Sequence, residues 1–192
     1  MSGPGNRPHT EFSEASRSTE MVRLLVISGS MGAGKTTVLG EASDLLGAAG
    51  IVHAAMDVDA VAMGYVPAAV GDELAFRHVA AVWANHAIFG VTRILLADAI
   101  DSPERCAHFV RATRAQDVQI CRLVADLQTM QQRVRLREPS ENQQGFVDNV
   151  ARVEAALDAT GEDFRIVNDG SRSATAVARE LLARAGWLSV KS

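Results

Sequence analysis

The sequence predicts an α/β protein, a three-layer α/β/α sandwich around a five-stranded parallel sheet. Three observations carry this. Segments with the period of a strand alternate with segments of helical period, the pattern of a parallel sheet with crossover helices. The first strand, within Val22–Ser28, is an apolar run with no polar face, as a strand buried on both sides requires. A glycine-rich turn, Gly29-Ser30-Met31-Gly32-Ala33-Gly34-Lys35-Thr36, joins that strand directly to a helix and fits G-x-x-x-x-G-K-[ST].

The elements follow in order. Residues 1–20 are rich in Ser, Gly, Pro and Glu without an apolar centre, which predicts a disordered leader rather than a secretory signal. One domain, residues 21–192, follows it. Helix one is expected over Lys35–Leu46, with Gly47 and Gly50 as stop signals, and strand two over Ile51–Met56. Gly64, Pro67 and Gly71 predict broken structure after it, and then a helix over Asp72–Phe89 with Phe76, Val79, Val82 and Trp83 on its apolar stripe. Strand three spans Thr92–Ala97. Ser102-Pro103 opens the next helix, which ends near Arg114. Strand four is Val118–Val124, followed by a helix from Asp126 to Glu138 stopped by Pro139. A helix over Gly145–Ala159, strand five over Phe164–Val167 and a last helix capped by Ser173 complete the chain.

In such sheets ligands bind beyond the carboxyl ends of the strands, so the residues there are the functional candidates. The glycine-rich turn offers successive amide N–H groups and a helix N-terminus to phosphate oxygens. Gly29, Met31, Gly32, Ala33, Gly34, Lys35, Thr36 and Thr37 are therefore the nucleotide-binding candidates. Lys35 reaches the β- and γ-phosphates and the Thr36 hydroxyl is a ligand for Mg²⁺. Of the 19 basic residues only Lys35 and Lys191 are lysine. The chain thus uses a compact ammonium where a point charge between phosphates is needed and arginine almost everywhere else.

Asp57 and Asp59 follow strand two and share a side if the chain stays extended there; one carboxylate can take a proton from an acceptor hydroxyl and the other can attend the metal. Asp98, with Asp101 as its competitor, ends strand three as a metal-holding acid. Arg133 and Arg137 share a helix face and are candidates for closing over a transferring phosphate, while Arg135 points off that face. The turn Asn168-Asp169-Gly170 can supply backbone groups to a purine. Arg77, His78 and His86, on the long helix, are candidates for the acceptor cleft.

GSMGAGKT, the acid pair in MDVD, RVRLRE in the lid position and NDGSRS after strand five together resemble the P-loop kinases of the nucleoside/nucleotide kinase superfamily. The small-molecule group is the nearest: shikimate, gluconate and adenylylsulfate kinases and chloramphenicol phosphotransferase. The resemblance covers Val22 to Trp187. It implies the P-loop NTPase fold with strand order 2-3-1-4-5, the cofactors ATP and Mg²⁺, and a phosphotransferase that moves the γ-phosphoryl to a small-molecule hydroxyl. It implies an acid near that hydroxyl at Asp57, lid arginines at Arg133 and Arg137, and adenine flanked by Asp169 and Gly170. The lid, residues 126–139, is short, no GGG follows strand three, and AIDSPE differs from the adenylylsulfate kinase pattern, so the acceptor is open among sugars, nucleosides and antibiotic-like alcohols.

The alternative is a regulatory or non-catalytic nucleotide-binding protein acting through a protein partner, although no N-K-x-D for guanine is present. A formal charge of −4 with no basic run disfavours nucleic acid as a partner. The absence of a long apolar run disfavours a membrane. Cys106 and Cys121 form no motif, which suits a reducing, cytoplasmic setting. The expected partner is a small-molecule substrate, bound by a monomer or homodimer.

Overall fold

The computed structural model describes residues 20–137 and 143–189. The expected leader therefore lies outside the described residues except for Glu20, as do Glu138, Pro139 and Lys191. Among the described residues the elements are β1 (Arg23–Ser28), α1 (Lys35–Ala48), β2 (Ala54–Asp57), α2 (Val58–Val61), α3 (Ala68–Ala87), β3 (Arg93–Ala97), α4 (Pro103–Thr113), β4 (Asp117–Val124), α5 (Leu127–Arg137), α6 (Gln143–Thr160), β5 (Phe164–Val167) and α7 (Ala174–Arg184). The strands form one sheet of order β2-β3-β1-β4-β5, every pair parallel, as the resemblance implies. This is the P-loop NTPase fold.

The run in β1 is apolar throughout because both of its faces are covered. Leu25 and Ile27 enter one core with α1 and α7; Leu24 and Val26 enter the other with α3 and α4. β3 repeats the division with Leu95 and Ala97 against Ile94 and Leu96. Each fully buried aliphatic side chain contributes about 1.5–3 kcal/mol. On β4, Arg122 is buried and bonds Glu154 and Asp158 of α6, each at 2.7 Å. That pairing fixes α6 to the sheet, and removing one partner would leave a buried charge unmatched.

Two expectations are corrected. β2 begins at Ala54, not Ile51, because Ile51 N–H still closes α1 on the Leu46 carbonyl and pairing with β3 starts at Ala54. The break after β2 is narrower than expected. α2 occupies Val58–Val61, and α3 starts at Ala68, directly after Pro67, with Gly71 inside it. A helical glycine costs about 1 kcal/mol, which burial of Ala75, Val79 and Trp83 outweighs.

Candidate active site

The glycine-rich turn lies at the carboxyl end of β1, and its shape is set by neighbours. Gly32 has φ +79° and Gly34 φ +93°, conformations that favour glycine. A Cβ on Gly32 would stand 2.4 Å from the Met130 carbonyl oxygen of α5, and one on Gly34 would stand 2.4 Å from Asn168 Nδ2. Ser30 is fully buried, and its hydroxyl donates to the Val150 carbonyl of α6 at 3.2 Å. Asn168 Nδ2 donates to the Ala33 carbonyl at 2.7 Å. The turn is thus held by α5, α6 and the end of β5. α1 leaves it from Gly34 with no side-chain cap and no acid in its first turn, whereas Asp57, Ser102 and Ser173 cap α2, α4 and α7. Its leading N–H groups and positive dipole end are open to an anion.

Above the turn is a cleft of about 190 Å³. Its floor is the turn and the first residues of α1, Thr36 and Thr37 included; Asp59 stands at one side and Arg133, Val134 and Arg137 of α5 form the cover. Lys35 is half-buried in its lining, and Nζ donates to the carbonyls of Gly29 at 2.9 Å and Ser30 at 3.3 Å. Burial pushes the Lys35 ammonium below its ordinary pKa, with Asp59, Asp98 and Asp57 opposing. An anion in the cleft would restore the lost charge stabilisation. A larger and more open hollow of about 560 Å³ borders Gly145, Phe146, Asp148, Asn149 and Arg152 at the start of α6. None of the site candidates lines it, so it lacks the convergent chemistry of the cleft.

The acid pair separates. Thr36 Oγ1 donates to Asp57 Oδ2 at 2.6 Å, and Asp57 Oδ1 accepts from the N–H groups of Asp59 at 3.1 Å and Ala60 at 3.4 Å. Asp57 is thereby both the cap of α2 and the partner of Thr36, and Asp59 lines the cleft. The expectation that both carboxylates share a side assumed an extended chain. α2 begins at Val58, so the alternation stops there. The carboxylate that touches Thr36 is Asp57, not Asp98.

Asp98 is 4% exposed, and both of its oxygens take Arg105, from Nε at 2.5 Å and from Nη2 at 3.0 Å. Burial raises the Asp98 carboxyl and the Arg105 bonds oppose that rise. Arg105, though burial pulls it down, is held above its usual value by Asp98 and Asp72. The bidentate bonds and the direction at Arg105 fit an ionised pair, against which burial of Asp98 works.

The β5 turn meets α5 at Arg133, whose Nη1 donates to the carbonyls of Gly32 at 3.0 Å and Asn168 at 2.9 Å. A Cβ on Gly170 would come within 3.4 Å of Arg133 Nη2. The exposed Asp169 carboxylate is engaged within its own turn: it accepts from Ser171 N–H at 2.8 Å, and bonds from Ser171 hold it below the usual carboxylate range. Of the long-helix candidates none lines the cleft. Arg77 is exposed and paired with Glu73 at 2.7 Å. His78 Nδ1 bonds the Val61 carbonyl at 2.7 Å and so ties α3 to α2. His86 lies in the last turn of α3, near the N-terminal edge of the sheet where β3 begins, at the end away from the turn. α3 starts beside the site and runs away from it, and spacing along the helix does not reveal that direction.

The structure adds Ser30, Val134, Arg105 and Asp72 to the surroundings of the site, and it gives Asn168, already in the candidate turn for its backbone, a side-chain bond to the Ala33 carbonyl. Asn168 had a signal, its position immediately after β5. Arg105 had a weaker one, the first turn of a helix that follows β3. Asp72 had none.

Among solved structures the chain is similar to a sugar kinase from Janibacter sp. (TM-score 0.60, 19% identity, covering 86% of this chain and 95% of that one). It is similar to the Mycobacterium tuberculosis APS kinase in complex with AMPPNP and APS (TM-score 0.58, 17% identity, 86% and 98% covered). It is also similar to shikimate kinase from Acinetobacter baumannii in complex with shikimate (TM-score 0.55, 18% identity, 89% and 96% covered). The likeness at these identities is one of fold. No protein-family model matches the sequence, and no curated protein does.

Proposed function

We propose that the protein is an ATP-dependent kinase that transfers the γ-phosphoryl group to a hydroxyl of a small molecule. The observation that carries this reading is the convergence of Lys35, Asp59, Arg133 and Arg137 on one cleft above an uncapped helix N-terminus. Cations beneath and above a phosphate chain, with a carboxylate at its side, are what phosphoryl transfer needs. The fold it shares with an APS kinase, a shikimate kinase and a sugar kinase is consistent with it.

In this reading the amides of Met31 to Thr37 and the Lys35 ammonium hold the β- and γ-phosphates. Arg133 and Arg137 cover them and neutralise the charge that spreads over the γ-oxygens. The acceptor oxygen forms a bond to γ-phosphorus as the bond to the bridging oxygen of ADP breaks. Asp59 receives the hydroxyl proton. Thr36 and Asp57 suit Mg²⁺, since a hydroxyl and a carboxylate already in contact are hard oxygen donors on one side of a site. No cluster of three or more His, Cys, Asp or Glu exists among the described residues, which suits an ion held by one carboxylate, a hydroxyl and substrate phosphates. When bound, Mg²⁺ would supply charge neutralisation at the phosphate oxygens. Asp98, behind them, keeps Arg105 in position. Arg133, Asp169 and Gly170 are assigned to the purine end. No described helix is long and apolar enough to cross a membrane.

A panel of alcohols assayed for ADP release, with the product identified by mass, tests the reading. One member should gain 80 Da per phosphoryl, the mass of HPO₃ (about 80 Da). Lys35→Ala should lose about 10³-fold or more in kcat with an unchanged circular dichroism spectrum. Full activity in that variant would remove the site assignment.

A further inference from the structure

Past Asp59, outside the lining of the cleft itself, the sheet continues from β1 to the carboxyl ends of β3 and β2, where the first turns of α3 and α4 meet through Asp72 and Arg105; an acceptor would approach from that side. The cations there are Arg77 and Arg105, and both are taken by carboxylates of the chain itself. Arg77 is paired with Glu73. Arg105 gives Nε and Nη2 to Asp98 and Nη1 to Asp72 at 2.7 Å. The Phe76 and Phe109 ring centroids each lie 5.7 Å from the guanidinium carbon. The two carboxylates on Arg105 differ. Asp98 is buried and fixes one edge of the planar fork. The side chain of Asp72 is 76% exposed, so it covers the edge that faces water. An arginine anchored on one edge and open on the other is the standard grip for a substrate carboxylate or phosphate. Here an acid of the chain fills that position.

The same end is acidic and apolar in character. Asp59, Asp72 and Glu73 are exposed there. Met63 and Tyr65, in the connection between α2 and α3, are 84% and 105% exposed. Since Arg105 and Arg77 match Asp72 and Glu73, the charge left to meet a ligand there is that of Asp59; it complements an amine or a neutral group, and the exposed side chains offer apolar contact.

We infer that Asp72 is a specificity-determining residue that closes Arg105 to anions, so that the acceptor is a neutral or amine-bearing alcohol with an apolar body rather than a carboxylate- or phosphate-bearing one. This rests on the phosphotransferase reading for the word acceptor, but the charge preference can be measured without turnover. The full chain, loaded with a non-hydrolysable ATP analogue and Mg²⁺, is titrated calorimetrically with benzylamine and with benzoate. The wild type binds benzylamine about tenfold or more tightly than benzoate. Asp72→Asn and Asp72→Ala, checked for an unchanged melting curve, strengthen benzoate binding about tenfold, and Asp72→Glu restores the wild-type ratio.

Benzoate bound as tightly as benzylamine by the wild type, no binding of benzylamine, or a ratio unmoved in both Asp72 variants would overturn the inference. An ADP-release assay with benzyl alcohols bearing an amine or a carboxylate separates the two readings. A ratio that moves with Asp72 while no alcohol is phosphorylated supports the charge preference and removes the transfer reading. Turnover that favours the carboxylate members in the wild type removes the preference and leaves the transfer reading standing.

Discussion

Around Lys35 the wall of the cleft is largely main chain lying against neighbouring elements. Gly32 sits against the Met130 carbonyl, Ser30 donates to the Val150 carbonyl, and Lys35 itself bonds two carbonyls. Around Asp72, outside the lining of the cleft, the surface is side chain on side chain: an exposed carboxylate on an arginine, a second ion pair at Arg77, and exposed Met63 and Tyr65. The first arrangement fixes positions within tenths of an ångström and leaves little freedom of residue type. The second fixes a charge balance and leaves room for exchange. The two regions therefore differ in how far their neighbours restrict the residue at each position.

The sharpest way to break this comparison is at the acid pair, where the two ends meet. Asp59→Asn should lower kcat by about 10²–10⁴-fold with KM for ATP nearly unchanged. Asp57→Asn should instead raise the Mg²⁺ concentration for half-maximal rate, because it loses the carboxylate on Thr36. Initial rates across ATP and Mg²⁺ concentrations check both, and equal effects of the two variants would erase the division of roles.

A smaller effect, on stability, comes from paired glycines. Gly32→Ala forces a side chain against a backbone carbonyl at φ +79° and should destabilise the fold by about 1–3 kcal/mol. Gly64→Ala has nothing within 4 Å of the new Cβ and should change stability by about 1 kcal/mol or less. Chemical denaturation of the two variants measures the difference between the ends directly.

The smallest effect is a pH dependence. Burial lowers the pKa of Lys35, so the folded chain binds its proton less tightly than the unfolded chain. Protons are then released on folding, and the stability of the wild type rises with pH toward the ordinary lysine value of 10.5. Lys35→Met lacks this dependence. The melting-temperature difference between wild type and Lys35→Met should therefore move in favour of the wild type between about pH 7 and 10, and a constant difference would argue against a buried ammonium.

What could be read from the sequence follows the same division. The glycine-rich turn was legible because its determinants are contiguous: a strand, three glycines and a lysine within 16 residues, 22–37. The pairing of Arg133 with Arg137 was legible because helical spacing is local. β1 and β3 were found because their apolar runs are dictated by two-sided burial; β2 and β5, at the sheet edges, keep exposed residues among the buried ones, and β2 is shorter than its apolar stretch. The acceptor end was not legible. Arg105 and Asp72 are 33 residues apart, and neither belongs to a periodic pattern. The sequence also suggested extended backbone through Asp59 where the chain turns into α2, so the roles of Asp57 and Asp59 were not separated. His86 was misassigned because helical period gives a face but not the end of the helix that approaches the site.

The contact of Gly32 with Met130 has one further consequence. A compound resting on the turn and under α5 would be held chiefly by peptide groups, whose positions no single codon change can alter without dislocating the turn itself. Resistance to such a compound would have to arise elsewhere, by loss of uptake or by excess of the protein, whereas a compound seated against Asp72 or Tyr65 would meet exposed side chains that are freer to vary.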